Sequence, residues 1–366
     1  MSLGSESFSA VPDGRTQPSV KLYALTLLFP PVMLLGFEAG GLWMFFFPLF
    51  AFGLVPLVEL FAPGTSANFD AEAEARAKTT RSYDFVLYGL VLLQWGLVLY
   101  MLQRLGTQTN TPLELVGLIS SVGLTSGVFG INVGHELGHR KKRYEQNLAK
   151  LSLLSTLYTH FFIEHNRGHH ARVATPEDPA SARRGEMVYT FWCRSVAGSW
   201  LSAWHLEARR LRKRGRRVLS WHNQMLRLQL LQLALLVAVY AVFGLAAVLG
   251  FLATSAIGIL LLETVNYLEH YGLQRQRTHT GRYEGVKPQH AWNSNRPWSR
   301  VLLFELTRHA DHHVNANRKY QILRHVDPSP QLPTGYAGMI LLALIPPLWF
   351  RVMHRILDRQ SRPASV

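Results

Sequence analysis

Nine of the sixteen histidines of this 366-residue chain lie in four short clusters. On an α-helix, side chains at i and i+4, or at i and i+3, share one face with Cβ atoms about 5–6 Å apart. The spacing within three of the clusters would therefore let each one point two or more imidazoles at a common position. The clusters read HELGH at 135–139, HNRGHH at 165–170 and HADHH at 309–313, with a single histidine in NYLEHYG at 266–272.

A transition-metal site explains these clusters. Metal-ligating imidazoles must be neutral, whereas nine neighbouring free imidazoles would be poorly placed in a chain with a formal net charge of +15. One tetrahedral ion takes four ligands, so nine indicate two ions. An almost all-imidazole pair of sites suits iron, although copper, zinc and nickel also fit the ligand type. The nine candidate ligands are His135, His139, His165, His169, His170, His270, His309, His312 and His313.

Two other classes of protein use similar residues. HELGH matches the HExxH pattern of zinc proteases, in which Glu136 would be the general base, but this reading leaves at least six clustered histidines unused. A histidine-rich metal transporter or sensor is the more remote alternative. Transporters place ionisable groups along several spans, and the apolar segments of this chain lack such a line of polar residues.

Six apolar runs, arranged as three pairs, must position the clusters. Each run approaches or exceeds the ~20 residues that a helix needs to cross ~30 Å of hydrocarbon. Six such runs would be hard to bury in a water-soluble fold. The sequence therefore predicts an all-α fold, a bundle of six transmembrane helices, with the link between the last two near Gly250. The runs cover 22–37, 40–62, 84–103, 112–133, 225–248 and 250–268.

The charge distribution predicts the orientation of this bundle. Thirty-one of the thirty-eight Lys and Arg residues lie in two polar segments, and basic residues mark the cytoplasmic side of a membrane. Both polar segments and both termini should therefore be cytoplasmic, with the histidines in a helical cap. The predicted divisions are a cytoplasmic tail at 1–20, transmembrane helices 1–4 within 21–133, a cytoplasmic segment with two histidine boxes at 134–221, transmembrane helices 5 and 6 within 222–271, and a cytoplasmic segment with the third box at 272–366.

Composition excludes several other classes of protein. Cys193 is the single cysteine, which rules out an internal disulfide framework, an iron–sulfur cluster and a cysteine-based zinc finger. Because the positive charge follows the predicted topology, we expect no nucleic-acid partner. The basic run EARRLRKRGRR at 207–217 precedes the fifth span. It is either a juxtamembrane anchor for anionic lipid or a docking surface for an acidic partner protein.

The three boxes HELGH, HNRGHH and HADHH resemble those of the integral-membrane non-haem diiron family of desaturases and hydroxylases. Within that family the sequence is most similar to the bacterial alkane 1-monooxygenases, or alkane ω-hydroxylases. Two strings carry this closer resemblance, which extends from the first span to about residue 325. They are NYLEHYGLQRQ at 266–276 and HAWNSNRPWSRVLLFELTRHADHHVNANRKYQILR at 290–324.

The resemblance implies a diiron enzyme of the bacterial inner membrane whose nine clustered histidines bind two iron ions. Its reaction would insert one oxygen atom of O2 into the terminal C–H bond of a medium-chain n-alkane. The electrons would come from a rubredoxin, reduced by a flavin-dependent rubredoxin reductase. Rubredoxin's four-cysteine iron site cannot be built from Cys193 alone. The alternative is a related diiron membrane hydroxylase or desaturase that acts on an aromatic methyl group or an acyl chain.

Several further residues are candidates for roles around the metal. A ligating imidazole usually gives its other N–H to a carboxylate or carbonyl. Carboxylates close to the candidate ligands are Glu136, Glu263, Glu269 and Asp311. Phe52, on the second span, is a candidate for limiting how deeply a substrate chain can enter.

Overall fold

The computed structural model describes residues 18–360, and over that range the chain is almost entirely helical, with two isolated β-bridges. The all-α prediction is confirmed. Residues 1–17 of the predicted N-terminal tail, and 361–366 of the predicted C-terminal segment, lie outside the described residues. The helices are α1 (Val20–Ala39), α2 (Gly41–Phe61), α3 (Ala71–Thr79), α4 (Ser82–Thr107), α5 (Pro112–Gly138), α6 (Arg143–Leu154), α7 (161–172), α8 (Val188–Arg212), α9 (Gln224–His270), α10 (Pro297–Leu302), α11 (His309–Val314), α12 (Tyr336–Ala343) and α13 (Pro346–Gln360).

Five of the described helices, α1, α2, α4, α5 and α9, are long and apolar enough to cross a membrane. Large apolar side chains project outward from them. Leu35 is 72% exposed, Trp43 68% and Phe61 81%. Contiguous exposed apolar surface of this kind is unfavourable in water and favourable against lipid. The chain is therefore a multi-pass membrane protein.

Helix α9 consists of two arms that meet at Gly244, whose φ of 79° and ψ of −175° are not helical. A positive φ is tolerated there because glycine has no Cβ. The two arms contact one neighbouring segment. The Tyr158 hydroxyl donates to Glu263 on the second arm (2.8 Å), and the backbone N–H of Thr159 donates to Gln232 on the first (3.2 Å). The arms therefore lie side by side as a hairpin.

The break in α9 lies at Gly244 and not at the link predicted near Gly250. Gly250 is helical and packs on Leu105 of α4, where an added Cβ would lie 2.2 Å from a Leu105 methyl carbon. Both glycines are in the same uncharged stretch, and periodicity alone did not show which one would take the positive φ. The six-span count, the cytoplasmic cap and its orientation stay predictions.

Helices α5 and α9 approach each other closely through small residues. A Cβ added at Gly258 of α9 would lie 3.0 Å from the Cβ of Ser126 and 3.1 Å from the backbone nitrogen of Gly127, both on α5. Small residues permit such close packing of membrane helices. The approach places the C-terminal ends of α5 and α9, which carry His135 and His270, beside each other.

A buried ionic network fixes the segment that leads into α11. Glu305 accepts hydrogen bonds from the Arg300 guanidinium (2.7 Å) and from the hydroxyl of Tyr23 on α1 (2.5 Å), and Arg308 lies 3.4 Å away. All four side chains are buried. A buried ion pair offsets its desolvation cost only with good geometry and additional hydrogen bonds. The network holds the chain just before His309 against the first helix of the bundle.

Candidate metal centre

The first histidine box forms the C-terminal end of α5. His135 lies in the last turn of the helix, and His139 follows directly after it. Residues Ser126–Ile131 of the same helix form a π-helical stretch. Such stretches are often found near functional sites. Both imidazoles approach those of other boxes, because the Nε2 atom of His135 lies 3.0 Å from that of His312, and the Nε2 atom of His139 lies 3.0 Å from that of His165.

The second box lies on α7, where residues His165–His169 are π-helical. A π-helix pairs residues i and i+5. The Nε2 atoms of His165 and His170 accordingly lie 3.0 Å apart. The pairing of His165 with His169 expected from α-helical spacing does not occur, and His169 belongs to a different group of histidines. The wider helical turn therefore divides this box between two metal positions.

The third box, on α11, is also divided. His309 and His313 have α-helical i, i+4 spacing, and their Nε2 atoms are 2.9 Å apart. The Nε2 atom of His312 lies instead 3.2 Å from that of His170. His270, at the end of α9, lies with His309 and His313, and its Nε2 atom is 3.1 Å from that of His309.

All nine predicted ligands converge in two groups, in each of which the potential ligand atoms lie within 4.8 Å of one another. Neighbouring Nε2 atoms 2.9–3.3 Å apart can both reach one ion at metal–nitrogen distances of about 2.0–2.1 Å. The donor set therefore fits two transition-metal ions. The group of five is His135, His139, His165, His170 and His312, and the group of four is His169, His270, His309 and His313.

Burial favours the form that binds metal in several of these imidazoles. Removal from water, reinforced by the neighbouring imidazoles, lowers the pKa of His165, His312 and His313 well below the usual value. The same burial lowers the pKa of His170 to about 3. A histidine with a depressed pKa is neutral at physiological pH. Its ring lone pair is then free for a metal.

Two groups outside the histidine boxes orient ligands. Asp178, in the loop after α7, has a carboxylate oxygen 2.9 Å from Nδ1 of His169 and accepts a hydrogen bond from the hydroxyl of Ser181 (2.6 Å). The carbonyl oxygen of His290 lies 3.3 Å from Nδ1 of His270. Each contact occupies one ring nitrogen and directs Nε2 toward the metal position. Sequence reasoning missed Asp178, because no spacing motif links it to the boxes.

Glu269 is the one predicted orienting carboxylate that contacts a histidine. One of its oxygens lies 3.2 Å from Nε2 of His309, and the other accepts a hydrogen bond from the Tyr336 hydroxyl at 3.1 Å. Glu269 therefore approaches the metal-facing nitrogen of the ring. It lies at the edge of the group of four.

The other three predicted carboxylates bond elsewhere. Glu136 pairs with Arg140 (2.7 Å), and this ion pair disfavours the protease reading because a general base must be free to take a proton. Asp311 accepts from the Arg318 guanidinium at 3.1 Å and from the backbone N–H of Arg324 at 2.9 Å. Glu263 accepts from the Tyr158 hydroxyl, described above. These three carboxylates stabilise the surrounding helices.

An apolar cavity lies inside the bundle near the candidate metal centre. Asn132 lies one helical turn before His135, and Tyr336 bonds to Glu269 beside His309, so two lining residues adjoin the two groups, although none of the described lining residues is a histidine. Among the described residues that line it, none is charged. Phe52 is part of the lining, as its proposed role requires. The lining is Phe47, Ala51, Phe52, Val55, Leu124, Gly127, Val128, Asn132, Leu261, Leu262, Val265, Ser299, Leu302, Leu303, Leu306, Tyr336, Ala337 and Ile340.

A second, polar cavity is lined by three of the nine histidines. These are His139, His170 and His313. Its walls carry more basic than acidic residues. The charged ones are Glu74, Lys78, Arg140, Lys141, Lys142, Glu145, Arg318 and Lys319. The histidine centre therefore borders a basic cavity directly and lies near an apolar one.

Comparison with known proteins agrees with this geometry. The family model for fatty acid desaturases matches residues 111–343. Alkane 1-monooxygenase 2 of Pseudomonas aeruginosa is 41% identical over 87% of this chain and 85% of its own length. Alkane 1-monooxygenase 1 of the same organism is 41% identical over 91% of this chain and 87% of its own length. A xylene/toluene monooxygenase hydroxylase component, XylM of Pseudomonas putida, is 29% identical over 88% and 84%.

The expected family resemblance is confirmed. The chain belongs to the fatty acid desaturase family, and within it to the group of the alkane 1-monooxygenases. It is therefore an oxidoreductase, and the reading as a transporter or sensor is not supported.

Proposed function

We propose that this protein is a membrane alkane 1-monooxygenase that converts a medium-chain n-alkane to the 1-alkanol. The balanced reaction is R–CH3 + O2 + 2 e⁻ + 2 H⁺ → R–CH2OH + H2O. The observation that carries the proposal is the convergence of nine histidines, seven of them buried, near an uncharged cavity inside the bundle. The similarity to alkane 1-monooxygenases supports it.

Two iron ions are the proposed cofactor, one held by the group of five histidines and one by the group of four. When bound, iron would supply the redox chemistry that activates O2, which side chains alone cannot perform. The chain's part is to keep the imidazoles neutral and correctly oriented. Asp178 would orient the ring of His169, and the His290 carbonyl would orient that of His270.

The cavity would bind the substrate and exclude water. An alkane has no polar group that could form a hydrogen bond or ion pair, so its position depends on the shape of an apolar cavity. Phe52, Leu262 and Ile340 contribute side chains from α2, α9 and α12. A hydrocarbon chain that entered this cavity would lie beside Asn132 and Tyr336, which adjoin the two histidine groups.

We further propose that rubredoxin delivers electrons through the basic cavity. Lys78, Lys141 and Lys142 at its walls would attract an acidic protein, and complementary charge speeds such encounters. The histidines in its lining are shared with the metal centre. The basic face would then be cytoplasmic, in agreement with the positive charge of the predicted cytoplasmic segments, and the enzyme would lie in the bacterial inner membrane.

The lining of the apolar cavity favours an alkane over the alternative substrates. A free fatty acid or another acidic acyl group would need a positively charged or hydrogen-bonding partner for its head group. The described lining contains no Lys or Arg and offers only Asn132, Ser299 and Tyr336 as polar side chains. An aromatic methyl substrate stays the second candidate, because XylM is a relative of this chain, at lower identity than the alkane 1-monooxygenases.

A reconstitution assay tests the proposal. Iron-loaded protein would be incubated in detergent with rubredoxin, rubredoxin reductase, NADH and O2, in parallel with octane, p-xylene and an acyl lipid. We expect 1-octanol, labelled when ¹⁸O2 is used. Turnover of xylene or acyl lipid without 1-octanol would move the assignment to the alternative substrates. If octane is hydroxylated with a chemical reductant but not with rubredoxin, rubredoxin is refuted as the electron carrier. The hydroxylase assignment then stands.

A further inference from the structure

The connection between α8 and α9, residues 213–223, carries positive charge without a local counter-ion. No Asp or Glu occurs in 208–262. The nearest carboxylate, Glu207, is fully buried and already paired with Arg210 at 2.5 Å. We call this connection the basic turn. Its exposed cationic residues are Lys213, Arg214, Arg216 and Arg217.

Large apolar side chains are exposed within the same turn. Leu219 is 80% exposed and Trp221 is 69% exposed. Such side chains beside arginines are unfavourable in bulk water. The combination is favourable at a membrane surface, where tryptophan lies at the level of the lipid headgroups.

The basic turn lies where a membrane-spanning helix begins. The apolar helix α9 starts at Gln224, directly after the turn. Helix α8 lies along this start, because the indole N–H of Trp200 donates to Gln229 at 3.1 Å. The turn is therefore held at the level at which α9 enters the lipid.

Hydrogen bonds give the basic turn a defined shape. The backbone N–H of Arg216 donates to the carbonyl of Leu211 at 3.0 Å. The Asn223 side chain donates to the carbonyl of Val218 at 2.9 Å, and the backbone N–H of Gln224 donates to Glu207 at 2.7 Å. The cationic side chains therefore project outward from an ordered backbone, and a ligand does not have to order the turn.

We propose that the basic turn is a binding site for anionic phospholipid headgroups. Arg214, Arg216 and Arg217 bind the phosphate groups, because guanidinium forms paired hydrogen bonds to phosphate oxygens. Leu219 and Trp221 insert into the interface beside them. The site does not depend on the proposed hydroxylase activity.

Spin-labelled lipids in nanodiscs of the full-length protein test this site. The fraction of phosphatidylglycerol immobilised by the protein is compared with that of phosphatidylcholine at low and high salt. One basic residue near an anionic surface contributes about 1 kcal/mol, or about a five-fold change in partitioning. The triple change Arg214→Gln, Arg216→Gln and Arg217→Gln should therefore reduce the phosphatidylglycerol preference by up to about a hundredfold.

A matched control removes equal charge elsewhere. Lys141→Gln, Lys142→Gln and Arg143→Gln alter three consecutive exposed residues and should leave the lipid preference intact. Helical content measured for both variants shows that each is folded.

Three results would overturn the proposal. One is a wild-type protein without preference for phosphatidylglycerol, and another is an equal loss of preference in both variants. The third is a basic-turn variant that keeps its lipid preference but loses binding to an acidic protein, which would assign the turn to a protein partner.

Discussion

The Asp178→Asn variant tests whether the groups around the histidines control metal binding. The Asp178 carboxylate and the His169 ring are both almost completely buried, and their contact is 2.9 Å. A hydrogen bond to a charged group contributes about 1.5–3 kcal/mol, and loss of such a ligand partner costs about 10–100-fold in metal affinity. Because asparagine keeps an acceptor oxygen and removes only the charge, we expect a loss near tenfold.

The loss should be confined to one metal position. His169 belongs to the group of four histidines, so the ion held by that group should be released first. Titration with a chelator, followed by Mössbauer spectroscopy of the ⁵⁷Fe-loaded protein, measures both the affinity and the identity of the site that empties. We expect one iron to leave at about tenfold lower chelator concentration than in the wild type.

Asp311→Asn provides the matched control. Asp311 is equally buried and adjoins His312 along the chain, but it bonds to Arg318 and the Arg324 backbone. This variant should keep wild-type iron affinity. Equal iron loss from the two variants, or full retention by Asp178→Asn, would refute the assignment of Asp178 as the anchor of His169.

Three further changes separate the roles of the cavity, the ligands and the bundle. Phe52→Leu shortens a side chain in the cavity lining, so the product profile across alkanes of increasing length should shift toward longer chains; an unchanged profile would exclude Phe52 as the limit on depth. His270→Ala should lose iron and activity. His354→Ala removes a hydrogen bond to the Tyr271 hydroxyl and stacking on Tyr271 and Phe350, and should keep both iron and activity; equal damage would contradict the ligand set. Gly258→Ala should destabilise the protein by about 1–3 kcal/mol, because the added methyl group crowds against α5. Gly96→Ala, whose added Cβ has no atom within 4 Å, should leave the melting temperature nearly unchanged. Similar shifts in the melting temperature of both variants would refute the close contact of α5 and α9.

The sequence was most informative where a short motif combines residue type with spacing. The histidines of HELGH, HNRGHH and HADHH could be chosen as ligands because so many imidazoles within so few residues are typical of a metal centre. The structure brings all nine together. The apolar runs similarly predicted the long helices of the bundle, because length and hydropathy are properties of the local chain.

The division of the ligands between two positions could not be predicted. Helical periodicity assumes α-helix geometry, and the π-helical stretch at His165–His169 changes which residues share a face. Its formation depends on how α7 packs against the rest of the bundle. The same limit applies to Asp178, which reaches His169 through the path of a loop. It also applies to the choice of Gly244 over Gly250 as the break in α9.

The orienting carboxylates show how far nearness in sequence can be trusted. Glu136, Glu263 and Asp311 lie close to ligands along the chain, but Arg140, Tyr158 and Arg318 provide their partners in space. A side chain next to a ligand on a helix points in a different direction from that ligand. The nine histidines predicted from the sequence converge in the structure, whereas most of the carboxylates predicted beside them bond to other residues.

The metal content of the purified protein tests the central claim most directly. Iron and zinc would be measured per chain after expression in iron-replete medium, together with the Mössbauer spectrum. We expect two irons per chain in two distinguishable environments, corresponding to the groups of five and four histidines. One zinc per chain, or a single iron environment, would contradict a diiron centre built from these two groups.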